Sequence, residues 1–176
     1  MSTKTTICKA LLNIANMDIH YYNEHNLTMA QHPSESDLRL MNRLVAFILN
    51  ANDNLVFCKG IDEDDEPDLW EKDFGDDIKL WIDIGQPDEK RIKKACGRSE
   101  KVIIYTYQEN VATPWFKQME KVIKRFKNLS VIHLDIQGDI EELAQRSMSF
   151  QCNISEEELT LIKDDQSLII TQRAWN

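Results

Sequence analysis

Pro67-Asp68 and, fifteen residues later, Asp83 are the residues of this chain whose type and spacing most suggest chemistry. They lie in EPDLWEKDFGDDIKLWIDIGQPDEK, residues 66–90, where a glycine-marked turn separates two strand-like runs. A turn of this kind brings two carboxylates onto neighbouring strands. Carboxylates so placed can hold a divalent cation, whose preferred ligands are hard oxygens. They can equally be ordinary acids of an acidic protein, with Asp68 bonding backbone at a strand end and Asp83 paired to a basic residue of the helix over 90–98. Trp70 and Trp81 flank the acids, where they either stack a base or pack a core.

The elements that position these residues follow from periodicity. Residues 5–15 and 25–31 alternate loosely and suggest an N-terminal β-ribbon. Ser34 and Asp37 have capping-box spacing, and Leu38, Met41, Leu44, Val45, Ile48 and Leu49 recur at helical spacing to about residue 51. LVFCK (55–59) reads as a short strand ended by Gly60, with the acidic run 61–66 as a loop. PDLWE (67–71) is a second strand, with proline at its tolerated first position. IKLWIDIG (78–85) is a third strand, alternating Ile78, Leu80, Ile82 and Ile84 against Lys79, Trp81, Asp83 and Gly85.

A helix then opens near Pro87, with Asp88 and Glu89 in its first turn, Lys93 and Lys94 in its last, and Gly97 beyond its end. KVIIYTY (101–107) is a buried strand reached by a helical crossover. Thr113-Pro114 opens a further helix carrying Trp115, Met119, Val122, Ile123 and Phe126 on one face. Residues 129–134 form another strand and 138–146 a short helix. The stretches 148–154, 159–163 and 167–172 read as an antiparallel meander. The whole is an α/β chain with a mixed sheet.

The chain has 176 residues, 42% hydrophobic and 29% charged, enough for a core in a single domain spanning 1–176. No apolar run approaches the ~18–20 residues of a membrane span, and the first residues do not read as a signal peptide. Cys8, Cys58, Cys96 and Cys152 are scattered and read as buried reduced thiols, which suggests a cytoplasmic protein. The four histidines do not share metal-ligand spacing with them, which argues against zinc.

The net charge of −9 does not suit a protein that coats nucleic acid non-specifically. The sign is uneven, however. Residues 62–77 carry ten acids against one lysine, whereas 90–101 carry Lys90, Arg91, Lys93, Lys94, Arg98 and Lys101 against one glutamate. Residues 117–127 carry five basic residues against one acid. These basic segments are either a nucleic-acid surface or ordinary solvated helix faces.

The blocks AQHPSES, DEPDLW, LWIDIGQPDEKRIKKACGR, VIIYTY and NLSVIHL together resemble the YaeQ family of bacterial proteins, over essentially the whole chain. That family has no assigned activity. The resemblance implies the αβββαβ, restriction-endonuclease-like core of the PD-(D/E)xK nuclease superfamily, elaborated by an N-terminal β-ribbon and a C-terminal antiparallel β-meander. Under it, Asp68 matches the first motif acid and Asp83 the second. Glu35, on the first turn of the first helix, is the candidate for a further acid. Glu35, Asp68 and Asp83 are then the metal ligands and Mg²⁺ the implied cofactor. The motif lysine is replaced by Gly85.

Catalysis would need a substitute for that lysine. Lys79 lies roughly 13 Å from Asp83 along the strand, too far for a shared water. Lys90, one turn into the next helix, is the better candidate, with Lys93 second, and Gln86 can orient a water without bringing charge. Two functions follow. One is a metal-dependent phosphodiesterase acting on nucleic acid, its catalytic residues Asp68, Asp83, Gln86 and Lys90. The other is a non-catalytic regulatory or protein-binding module on the same fold, with an exposed edge of the meander as its pairing surface. No P-loop, GxSxG or HExxH supports a third class.

Overall fold

The computed structural model describes residues 4–59 and 65–176. Gly60 and residues 61–64 of the expected acidic loop lie outside the described residues. The chain is mixed α/β and forms two compact units, one of residues 1–49 and 135–172, the other of 50–134 and 173–176.

In the first unit the strands run in the order β2-β1-β8-β9-β10. Strands β1 (Thr6–Asn16) and β2 (Tyr21–Gln31) form the expected N-terminal hairpin in continuous antiparallel register from Thr6↔Gln31 to Asn16↔Tyr21. The second strand starts earlier than alternation suggests, because His20 takes a left-handed φ of 54° and closes the turn. Strand β1 alternates strictly, burying Cys8, Ala10, Leu12 and Ile14.

The meander comprises β8 (Ser147–Ser155), β9 (Glu158–Lys163) and β10 (Gln166–Ala174). Its first strand pairs parallel to β1, with Lys9↔Ser147 through Asn16↔Ile154. The β8 side of the meander is therefore covered by β1, and β2 lies at the far end of this strand order. The ribbon and the meander are parts of one sheet, a pairing that local periodicity does not encode. The short helix expected at 138–146 is a single 3₁₀ turn, Ile140–Leu143.

Helix α1 (Asp37–Leu49) begins later than a Ser34 cap predicts. Ser36 Oγ accepts from Arg39 N at 3.1 Å and is the side chain that caps it. Residues Leu40 to Ile48 are all buried, so the helix is enclosed on every side.

In the second unit the order is β7-β6-β5-β4-β3. Strands β3 (Leu55–Phe57), β4 (Leu69–Lys72) and β5 (Ile78–Ile84) form an antiparallel meander. Helix α2 (Glu89–Arg98) crosses over to β6 (Ser99–Thr106), which is parallel to β5. Helix α3 (Glu109–Lys124) leads to β7 (Leu129–Gln137), parallel to β6. Along the chain, α1, β3, β4, β5, α2 and β6 reproduce the expected order.

Three boundaries differ from expectation. Asp88 is the N-cap of α2, not a first-turn residue, and accepts from Arg91 N at 2.8 Å. Gly97 lies inside α2, which passes into β6 with no connecting residue. Helix α3 begins four residues before Thr113, and Pro114 sits within it. Proline there removes a backbone donor but does not end the helix, because Ala112, Trp115, Val122 and Ile123 are buried.

No helix among the described residues is long and apolar enough to cross a membrane. All four cysteines are unpaired, and three are buried. Burial pushes Cys58, Cys152 and the Tyr105 phenol each up to about 12. The folded state thus keeps protons that the unfolded chain releases from about pH 9 upward, so stability should fall as pH rises through that range. Urea midpoints measured between pH 7 and 11 should be flat at first and decline beyond about pH 9.

Candidate acid-pair site

Register brings the two acids together. Leu69 pairs with Ile82 across the antiparallel β4–β5 ladder, so Asp68 and Asp83 extend the same ladder by one step. Asp68 N donates to Ile82 O at 3.1 Å and Asp68 Oδ2 accepts from Ile84 N at 2.8 Å. Asp68 and Asp83 are only 2% and 3% exposed, so each must be satisfied within the protein.

Asp83 is met by three donors. Arg91 Nε reaches Oδ2 and Arg91 Nη2 reaches Oδ1, each at 2.9 Å, a two-pronged guanidinium–carboxylate contact. The Trp81 indole N–H adds a third bond, to Oδ2 at 3.0 Å. Arg91 Nη2 also donates to the Glu66 carbonyl at 2.8 Å, tying the approach to β4 to the same cation.

Local sequence explains why Arg91 stands there. The Asp88 cap fixes the first turn of α2 and makes Arg91 its third residue. Helical side chains lean toward the N-terminus, here toward the end of β5. Lys90, one residue earlier, is rotated by about 100° around the axis and is exposed, with no ion pair among the described residues. The cation of α2 that pairs with Asp83 is therefore Arg91. The signal was available: an arginine three positions after an aspartate cap, behind a strand ending in a buried acid.

The other expected residues fall as follows. Lys93 pairs with Glu89 at 3.3 Å, and Lys94 pairs with Asp65. Lys79 pairs with Glu100 at 2.9 Å. These basic residues of 90–101 are thus partly spent on local acids. Gln86 Nε2 is buried without a hydrogen-bond partner. Gly85, at the motif-lysine position, has φ of 108°, and a Cβ there would meet nothing within 4 Å. Its backbone, not lack of room, excludes a side chain. Trp81 is fully buried and stands edge-on to Trp70 at 6.3 Å, which is core packing and leaves no face for a base.

Glu35 lies in the first unit, two residues before α1 and not on its first turn. It is 8% exposed and is clasped by Arg43, with Nη2 to Oε1 at 2.6 Å and Nε to Oε2 at 2.9 Å. Arg39 Nη1 adds a bond to Oε2 at 2.7 Å. Glu35 and Asp83 each rest on a bidentate arginine from the helix nearest in sequence.

This donor set does not fit a divalent ion as it stands. Asp83 Oδ2 already accepts two N–H groups, and the guanidinium covers the carboxylate edge that would chelate. A fixed positive charge at hydrogen-bond distance also repels a second cation. Mg²⁺ would need Arg91 to leave Asp83 first.

A family model described as YaeQ protein matches residues 1–172. The chain is 38% identical over 177 residues to a protein of Escherichia coli K12 described as "Uncharacterized protein YaeQ", covering 99% of this chain and 98% of that one. Its counterpart in Salmonella typhi is also 38% identical at the same coverage. The crystal structure of a YaeQ protein from Xanthomonas axonopodis pv. citri has a TM-score of 0.91 and 42% identity, over 98% of this chain and 99% of that one. The YaeQ protein of Pseudomonas syringae has a TM-score of 0.91 at 29% identity, over 98% of this chain and 96% of that one. Sequence and fold agree over the full matched length, and the chain belongs to the YaeQ family.

Proposed function

We propose that this protein is a non-catalytic binding module that keeps a PD-(D/E)xK nuclease-like core. The element order α1, β3, β4, β5, α2, β6 and the placement of Asp68 immediately before β4, beside Asp83 of the adjacent β5, support that core. The observation that carries the non-catalytic reading is the bidentate Arg91–Asp83 pair. It neutralises the second motif acid from within the chain. Incubation of the protein with single- and double-stranded DNA and RNA in Mg²⁺ or Mn²⁺ should give no cleavage above that of an Asp83→Ala variant. Metal-dependent cleavage that disappears in Asp83→Ala would overturn the reading.

A second reading is the metal-dependent phosphodiesterase, with Arg91 taking the part expected of Lys90. Two features favour it: the open space beside Gly85 and the unpartnered Gln86 Nε2, both next to the acid pair. Under this reading Asp68 and Asp83 would be the residues to hold Mg²⁺, with Arg91 displaced from Asp83, and the ion would supply charge neutralisation and water activation. Arg91 would then be free to meet phosphate charge.

A further inference from the structure

The last four residues, 173–176, belong to the same unit as the acid pair. Trp175 N donates to Val131 O at 2.8 Å. Asn176 clasps the same strand: its Oδ1 accepts from Val131 N at 2.7 Å and its Nδ2 donates to Leu129 O at 2.9 Å. A side-chain amide here stands in for strand pairing and fixes the neighbouring indole. His133 stacks on Trp175 at 4.8 Å, its ring within 6° of parallel. His133 is itself buried and bonded through Nδ1 to Thr106 Oγ1 at 2.7 Å. Phe116 meets the indole edge-on at 5.3 Å. The ring is thus backed and braced before any ligand arrives.

The rest of Trp175 lines a cleft of about 370 Å³ between α3 and the tail, shared with Thr113, Phe116 and Lys117. Glu109 and Arg173 also line it and neutralise one another at 3.1 Å. Asp135 stands within 4.8 Å of Glu109 and His133 and adds a second acid near the cleft, while Lys117 is exposed and has no ion pair among the described residues. The Trp175 indole N–H likewise has no acceptor there, whereas the buried indoles of Trp81 and Trp115 donate to Asp83 and to the Pro87 carbonyl. Lys121 follows Lys117 at helical spacing and is exposed, whereas Lys124, one turn further, is paired with Glu120 at 3.6 Å.

A half-buried aromatic platform beside a free cation is suited to a planar ring carrying a nearby anion. We infer that this cleft binds a nucleotide unit, its base on Trp175 and its phosphate on Lys117. Lys121, one turn along α3 from Lys117, meets the following phosphate of a single strand. The indole N–H lies in the ring plane, where a sugar or phosphate oxygen can reach it. The net charge of −9 opposes a polyanion, so binding is weak and falls steeply with salt. The site uses neither Asp68 nor Asp83 and stands whichever state the acid pair adopts.

The test uses the full chain with fluorescein-labelled oligo-dT, AMP and inorganic phosphate as probes, at low and at physiological salt. Amide and indole NMR shifts locate binding, with the Trp175 indole signal assigned from Trp175→Phe. Lys117→Glu, at an exposed position, should raise the dissociation constant tenfold or more, and Trp175→Ala should do the same. Asp83→Asn should leave it unchanged. Binding of oligo-dT but not AMP assigns a strand, and equal binding of both assigns a free nucleotide. No binding tighter than that of phosphate, or binding unaffected by Lys117→Glu with an unmoved Trp175 indole signal, would overturn the proposal.

Discussion

Arg91→Ala is expected to destabilise the protein by about 3 kcal/mol, near the lower end of the cost of removing one partner from a buried ion pair. Two observations set that figure. The Asp83 side chain is 5% exposed, so its charge is stranded, whereas that of Arg91 is 23% exposed, so some water already reaches the pair. Arg91→Lys should recover only part of the loss, because an ammonium cannot donate two parallel bonds to one carboxylate. The double variant Asp83→Asn/Arg91→Ala should be more stable than Arg91→Ala alone, since no buried charge remains. Urea denaturation of the four-member cycle measures the coupling. A loss below about 0.5 kcal/mol for Arg91→Ala would mean that the pair does not hold the β5–α2 junction.

The larger loss is expected at Arg43. Its side chain is 6% exposed and that of Glu35 is 3% exposed, so Arg43→Ala strands a carboxylate with little access to water. The expected cost is about 3–5 kcal/mol. Arg39, more exposed at 18%, meets Glu35 through Nη1 at 2.7 Å. Arg43 Nη2 also donates to Ala30 O at 2.9 Å, so the same change frees a carbonyl of β2. Glu35→Leu/Arg43→Met should recover much of the stability, because apolar replacement of a buried pair removes both desolvation costs. Thermal unfolding of the three variants checks this. If Arg39→Ala proved as costly as Arg43→Ala, the bidentate contact would not be the dominant one.

The parts of this fold governed by local spacing were legible in the sequence. The alternation of β5, the capped α2 and the apolar face of α1 each placed an element where it stands. The parallel pairing of β1 with β8 was not, because the two strands lie more than 130 residues apart and no local pattern records such a partner. The α3 start was missed because proline marks a helix N-terminus more often than a tolerated interior position.

At the site, strand register was readable from Pro67-Asp68, the turn and Asp83. What the acids do there depends on side-chain direction. The ionic alternative, Asp68 on backbone and Asp83 on the 90–98 helix, describes the contacts observed. Lys90 is the candidate on reach from the helix, a criterion that does not include the backward lean of helical side chains or the fork geometry that only arginine offers a carboxylate. The Trp175 cleft had no sequence signal, since no local periodicity links Trp175 to Phe116 and Lys117 of α3.

Whether Arg91 closes the acid pair is read by calorimetric titration with Mg²⁺ and Mn²⁺. Wild type, Arg91→Met and Asp68→Asn/Asp83→Asn would be compared at pH 7.5. No binding is expected to wild type or to the double asparagine variant, and measurable Mn²⁺ binding is expected to Arg91→Met, where the carboxylates lose their internal cation. Binding to wild type that is lost in Asp68→Asn/Asp83→Asn would contradict closure by Arg91 and establish the pair as a working metal site.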